Sequence, residues 1–383
     1  MILARTLFAK LRPKRPSPRE IQEKIDVSRT AALTLAYANR GLRVGVDDVG
    51  SSIPHSVDVD RLQLEKEVKE LSADEARKWV QASLNDQIVS YFKIVKEVGG
   101  VHPQSMDSVA RAISVASVSP SARQKGSVSR RSGETKGQAI ERAALDSWRT
   151  EQLKEVLRER LGFCTTVKES SIPGAGAGLF VEGSAPEGAI VAIYPGLVHL
   201  PENLQHETYM SQLLPDDNFY LMGRADGCVI DARTRAQLPS SPLAMAHAVN
   251  HPPAGRAPNV LQAAYDYPSK TGGGGSSLFS GKIGQCHFPE ELRPLIPNRY
   301  HKPPKLFGGK VERWAFVETV VLVACRGGVH DEEVFMDYRF NPSMRAPDWY
   351  TAVNPKEIKK MWGSPETRPY SDLSELARRK DDD

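Results

Sequence analysis

The chain has 383 residues, 40% of them hydrophobic and 26% charged, with a formal net charge of +4 at pH 7. Length alone admits two or three domains; the composition suits a soluble globular protein, no run is apolar for long enough to span a bilayer, and so mild a positive balance gives no ground for direct nucleic-acid binding. The four cysteines, Cys164, Cys228, Cys286 and Cys325, are far apart and form no Cys-x-x-Cys pair. Neither a disulfide framework nor a metal site is therefore expected, and reduced, intracellular thiols are.

The first 19 residues carry six Arg or Lys and no acid, with Leu3, Leu7, Phe8 and Leu11 set among Arg5, Lys10 and Arg12. Residues 1–26 read as a basic tail or a targeting peptide, which leaves the nucleus or cytoplasm as the compartment, with a mitochondrial alternative. Prolines 13, 16 and 18 are expected to end any helix there. Helical spacing starts in "SRTAALTLAYAN", with Ser28 as candidate N-cap. It is stronger over 61–97, where Leu62, Leu64, Val68, Leu71, Trp79, Val80, Leu84, Ile88, Tyr91, Phe92 and Val95 recur at threes and fours. Ser72 with Glu75 reads as a capping box that divides this stretch into two helices. The helical region thus covers 27–100.

Residues 101–135 are rich in Ser, Arg and Gly and should form a flexible linker. A further helix over about 136–161 leads into a second domain. From Gly162 the texture changes to short β-prone runs: "LFVEGSA", "AIVAIYPGLVH", "YLMGRADGCVIDA", "WAFVETVVLVACRG" and "EVFMDYRF". A mostly β domain is expected, without the helix–strand alternation of a doubly wound sheet. About 269–310 reads as an irregular insertion, and 342–383 as a tail holding Trp349, Tyr350 and Trp362.

Several segments could carry chemistry. "SSIPGAGAGLFVEG" has glycines at 174, 176, 178 and 183, but no strong strand precedes it and no long helix follows, which argues against a dinucleotide fingerprint. Its glycines permit either close approach of a ligand to the backbone or a tight turn. His247 and His251 are four apart, yet Pro252 and Pro253 break any helix that would aim both at zinc, and no metal is expected. Tyr338 in "HDEEVFMDYRF" is, on its own, a half-buried phenol on a strand. No Gly-x-Ser-x-Gly elbow occurs in this domain.

Three of these segments, taken in order, resemble the SET-domain protein lysine methyltransferases. "GAGLF" (176–180), followed by "IVAIYPG", is similar to the family's first motif; "HAVNHPPAGRAPN" is similar to its central "NHSxxPN"; "DEEVFMDY" (331–338) is similar to its closing "GEELxxDY". The resemblance covers roughly 162–341 and implies small β-sheets around a pseudoknot, with the central segment threaded through a loop made by the closing one. It implies S-adenosyl-L-methionine as cofactor and a protein substrate presenting a lysine. Asn250 would then bond the amino-acid portion of the cofactor, the His251 backbone would meet its adenine, and Gly176, Ala177, Gly178 and Leu179 would lie where the backbone passes it. Tyr338 would be the catalytic tyrosine, also beside the cofactor, and Asn259 would hold the knot together.

The chain departs from the pattern at named positions. Pro252 stands where the family has a serine, the span from Asn250 to Asn259 is longer than the usual motif, and Asp331 replaces the glycine before the Glu pair. No cysteine cluster follows the domain, so an aromatic contribution from the tail would come from Trp349 or Tyr350. Met336 stands two before the tyrosine, where many members keep the aromatic residue that limits the number of methyl groups added. The alternative function for such a sequence is a non-catalytic SET module used for protein interaction.

Overall fold

The computed structural model describes residues 18–39, 66, 68, 70–98, 150–204, 218–233, 242–268, 288–301, 317–340 and 346–362. The basic segment up to residue 17, the linker, Cys286 and the last part of the tail lie outside the described residues.

Helix α1 (Pro18–Asn39) starts ten residues before the expected Ser28, which sits in mid-helix. Pro18, expected to end a helix, begins one; its missing N–H is no loss at a first helical position. The earlier start follows from tertiary contacts that sequence periodicity does not reveal. Glu23 takes the Arg77 guanidinium at 2.7 Å, and Asp26 takes that of Arg339 at 2.8 Å. Helix α2 (Ala73–Glu97) begins at the expected capping box: Ser72 N donates to the Glu75 carboxylate at 2.8 Å, and Glu75 N to Ser72 Oγ at 3.3 Å. Its buried face holds Ala76, Val80, Leu84, Ile88, Tyr91, Phe92 and Val95; Trp79, read onto that face from the sequence, is instead exposed, its indole N–H donating to Thr34 Oγ1 at 3.1 Å. Helix α3 covers 150–161.

Among the described residues the β-structure forms three small sheets. Strands β1 (Phe163–Glu169), β2 (Ala177–Ala185) and β10 (Val329–His330) make the first, in the order β1-β2-β10. Strands β3 (Ile190–Ile193), β7 (Val260–Tyr267) and β9 (Val317–Ala324) make the second, in the order β3-β9-β7. The third has the order β5-β6-β4-β8, from β4 (Gly196–His199), β5 (Leu221–Gly223), β6 (Val229–Asp231) and β8 (Asn298–Tyr300). All pairs are antiparallel except β4–β8. Strand β8 lies inside the stretch read as an irregular insertion. Its pairing to β4, just over a hundred residues away, leaves no local signature, and Asn298 Nδ2 ties it inward by donating to Tyr194 O at 2.8 Å.

The architecture is mixed α/β rather than mostly β, because α1 and α2 share one core with the sheets. Two glutamines of α2 fix this union. Gln81 donates to Asp266 O at 2.6 Å and accepts from Asp266 N at 3.3 Å, on β7. Gln87 donates to Gly188 O at 3.0 Å and accepts from Ile190 N at 2.9 Å, at β3. These are the two outer strands of β3-β9-β7, so each carboxamide supplies the donor–acceptor pair that a neighbouring strand would otherwise supply. Gly188 (φ +83°) lets α1 close over the same edge, since an added Cβ would meet Leu33 O and Tyr37. Among the described residues, no helix is long and apolar enough to cross a membrane.

Beneath α2 lies a buried ionic group. The Arg224 side chain, 1% exposed, binds Asp226 at 2.9 Å and Asp266 at 2.7 Å. Glu318, on β9, accepts from Tyr300 Oη at 2.6 Å. Burial, then the charge of Asp266, pushes the Glu318 carboxyl up from 4.5 to about 7. A carboxyl whose pKa is raised by folding binds its proton more tightly in the native state, so stability falls as pH rises between those two values. Urea titrations should therefore show the native chain losing stability relative to Glu318→Gln between pH 4.5 and 7, by about 3 kcal/mol in all. Identical pH profiles for the two proteins would show that folding does not perturb this carboxyl.

Candidate functional site

The segment 331–338 runs between two others that are remote from it in sequence. On one side it pairs with β2: Asp331 N donates to Gly183 O, Val181 N to Glu332 O at 3.0 Å, and Val334 N to Leu179 O at 2.7 Å. On the other side Met336 N donates to Asn250 O at 2.9 Å, and Asn259 N to Phe335 O at 3.1 Å. The bridges Asn250–Phe335 and Val260–Met336 are parallel, while Phe180–Glu333 is antiparallel. The three segments singled out in the sequence therefore meet through backbone hydrogen bonds.

Asp331 begins this segment with φ 45°, in the left-handed region that glycine favours. Aspartate is among the few residues tolerated there, and its carboxylate accepts from Gly183 N at 2.7 Å. The replacement of glycine by Asp331 thus has a physical account: a side-chain bond offsets the backbone cost.

Glu333, 2% exposed, is the polar centre. Its carboxylate accepts from Ser170 Oγ at 2.7 Å, Ser171 N at 2.7 Å, Ser171 Oγ at 2.5 Å and Asn250 Nδ2 at 3.1 Å. Burial opposes its ionisation, but the bonds from Ser171, Ser170 and Asn250 outweigh burial and hold the carboxyl below its ordinary value. Sequence reasoning quoted Glu333, Ser170 and Ser171 only as letters of longer segments and gave none of them a role. A charged residue flanked by buried Val334, Phe335 and Met336 was the available signal.

The expected site residues take up distinct positions around this carboxylate. Asn250 Nδ2 also donates to Ser170 Oγ at 3.1 Å and to Ala177 O at 3.0 Å. Gly178 is tight for a steric reason, since a Cβ there would collide with Glu333 Oε1 and lie 3.2 Å from Asn250 Nδ2. Gly176 is exposed, with φ +75° and open space where a Cβ would stand. Leu179 is fully buried and its carbonyl is taken by Val334. Asn259 grips the closing segment by its side chain, donating to Glu333 O at 2.8 Å and accepting from Phe335 N at 2.7 Å.

Tyr338 sits at the end of the segment, with its hydroxyl donating to Val249 O at 2.8 Å. Burial pushes its phenol up to about 12, so it is a neutral donor at physiological pH. His251 is buried; its Nδ1 accepts from Tyr338 N at 3.3 Å, which leaves Nε2 to donate to Thr351 O at 2.8 Å. The tail completes an aromatic cluster. The His251 ring lies 4.6 Å from that of Tyr350 and 5.5 Å from that of Tyr338, while Trp349 is 6.1 Å from Tyr338 and 6.2 Å from Phe340. Tyr194, from "IYPG", is also buried; burial and then the neighbouring Tyr338 push its phenol up. Met336 lines a cavity with residues of α1 and the tail. Among the described residues, no cluster of His, Cys, Asp and Glu could hold a metal.

No family model matches the chain. Two curated relatives are similar over 213 residues at 26% identity, both called SET domain-containing protein 9. The match covers 48% of this chain and 67% of the Pongo abelii protein. It covers 48% of this chain and 61% of the Homo sapiens protein, so the chain spans about three fifths of the human relative's length. Similarity of this degree is a distant link to SET-domain proteins as a superfamily.

The packing of Gly178 against Glu333 can be measured. Gly178→Ala should cost about 1–3 kcal/mol, as overpacking does, while in a Glu333→Ala background the same change should cost much less, because contacting residues are non-additive. Equal costs in the two backgrounds, from urea unfolding, would show that the two residues do not meet.

Proposed function

We propose that the chain is an S-adenosyl-L-methionine-dependent protein-lysine N-methyltransferase of the SET type, with 331–338 and 250–260 as its pseudoknot and Tyr338 as its catalytic tyrosine. The observation that carries this reading is the convergence of Gly178 and Asn250, from two separate motifs, on the closing segment that ends at Tyr338. The distant SET-domain similarity supports it. "IYPG", "ADGCVIDA", "FPEELRPLIPN" and "VVLVACRG" favour kinship with SET domain-containing protein 9 in particular.

The residues present fit the cofactor. An exposed loop over 174–177 has open space beside Gly174 and Gly176, with the Asn250 carboxamide at its base. Asn250, the His251 backbone and the backbone of Gly176, Ala177 and Gly178 would hold the group, and Leu179 would fix the strand behind them. When bound, S-adenosyl-L-methionine supplies an electrophilic methyl on a positive sulfonium.

What the chain itself contributes is position and desolvation. Desolvation beside the half-buried Tyr338 and Phe340, together with the positive sulfonium when the cofactor is bound, would lower the amine pKa and so favour the neutral lysine that can attack. The Tyr338 hydroxyl and Val249 O set two oxygens 2.8 Å apart where an amine or a polarised methyl can be oriented. Neither a metal nor a strong base is needed for such a transfer. The substrate is a lysine-presenting protein, met in the nucleus or cytoplasm or, if the basic N-terminus acts as an address, in the mitochondrion.

One observation favours the second reading, a non-catalytic interaction module: the Asn250 amide is already shared among Ser170, Ala177 and Glu333. Calorimetry with S-adenosyl-L-methionine or its demethylated product separates the two. Heat of binding supports the enzyme, and its absence on folded protein supports the module. In the enzyme, Tyr338→Phe should lower turnover by about 10²–10³ with cofactor affinity little changed, whereas Asn250→Ala should weaken the cofactor first. Full turnover in folded Tyr338→Phe would remove Tyr338 from the catalytic role.

A further inference from the structure

The tail that carries Trp349 and Tyr350 is held from the opposite end of the chain. Thr351 O accepts from His251, and Asn354 caps helix α4 (Pro355–Trp362): Glu357 N donates to Asn354 Oδ1 at 3.1 Å. The Glu357 carboxylate is then bound by both terminal nitrogens of Arg29, on α1, at 2.9 and 2.6 Å. A second pair acts on the same joint, with Arg339 NH1 on Asp26, also on α1, at 2.8 Å. Arg339 directly follows Tyr338 and holds φ 50°, a conformation that non-glycine residues keep only when their surroundings impose it.

Apolar packing at this joint is incomplete. A cavity of about 480 Å³ opens between α1, the closing segment and the tail, with Arg29, Leu33, Met336, Arg339, Val353 and Glu357 in its wall. Ile358 is buried, and Glu357 beside it ties α4 to α1 through its pair with Arg29. Bidentate pairing of guanidinium with carboxylate fixes direction as well as distance, so α1 constrains where α4 and the residues 346–354 that lead into it can lie.

We propose that Arg29 and Asp26 are positioning residues: through Glu357 and Arg339, α1 acts as a clasp that seats the Trp349–Tyr350 wall over Tyr338. The functional sense of the clasp rests on the methyltransferase reading; its mechanical sense does not. Arg339 is buried and the Asp26 side chain only 15% exposed, and breaking that pair would leave a largely buried charge without a partner and endanger the fold. The Arg29 side chain is 50% exposed, so its pair with Glu357 contributes little to global stability. It can therefore be altered without unfolding the chain.

The test is a charge swap in the full chain. Arg29→Glu should speed amide hydrogen exchange over 346–352 by about fivefold, and raise acrylamide quenching of Trp349 fluorescence against a Trp349→Phe blank, with the melting temperature nearly unchanged. The double variant Arg29→Glu/Glu357→Arg should restore both readings. Unchanged exchange in the single variant, or no restoration in the double, would overturn the proposal. Methyl transfer, where the native chain shows it, should fall in the single variant and return in the double. A native chain that transfers no methyl would count against the methyltransferase reading alone, with exchange still deciding the clasp.

Discussion

A carboxylate buried, among the described residues, without a cation beside it imposes strict demands, and Glu333 meets them with hydrogen-bond donors drawn from elsewhere in the chain. Ionised carboxylates are costly to bury unless their lone pairs are filled. Here they are filled by two serine hydroxyls, one backbone amide and one carboxamide, none of them charged. The donors come from 170–171 and from 250, while Gly178 gives up its side chain to make room. Satisfying one acidic side chain therefore fixes the relative placement of three segments. Asn259 does for the Phe335 amide and the Glu333 carbonyl what the serines do for the carboxylate.

The helices extend this order outward rather than decorating it. Strand β9 lies between β3 and β7, and the strand after Asn259 is β7 itself, so the position of the central segment depends on that sheet being held at its edges. Gln81 and Gln87 hold both. A carboxamide is suited to this task because it presents a donor and an acceptor side by side, as a peptide does. In this way α2 acts on the site at one remove: it stops the outer strands from fraying or pairing elsewhere, and Cys325 N on Asn259 O ties the end of β9 to the asparagine that grips the closing segment.

Much of the site was legible in the sequence because the informative residues are constrained by local chemistry. Ser72 with Glu75 announced a helix start; the glycines at 174–178 read as either close approach of a ligand or a tight turn, and Asn250 took a role only through the resemblance. What could not be read was non-local. Strands β1 and β7 passed unnoticed, since "FCTTVKE" and "VLQAAYDY" mix polar and apolar residues without clean alternation; both owe their state to partners far along the chain. The start of α1 at Pro18 was hidden for the same reason, because Arg77 and Arg339 stabilise its acidic residues from a distance. Glu333 was visible as a letter in a motif, but its donors Ser170 and Ser171 precede the glycine loop and carry no periodic signal.

The lengthened central segment, which set this sequence apart from its resemblance, is absorbed in one direction only. Asn250 and Asn259 keep both ends of the loop on the closing segment, through Met336 N and Phe335 N. Between them Pro252 and Pro253 enforce an extended exit, and Gly255 (φ +83°) then turns the chain, with Arg256 N donating to Pro253 O at 3.0 Å. Arg256 folds back over the closing segment, pairing with Glu332 at 2.8 Å and lying 4.5 Å above the Phe335 ring. The extra residues thus bulge outward and are stapled from above, while the register beneath them is set by the two asparagines. A proline in place of serine is compatible with that arrangement because the bonds that define it are made at positions 250 and 259, on either side of the substitution.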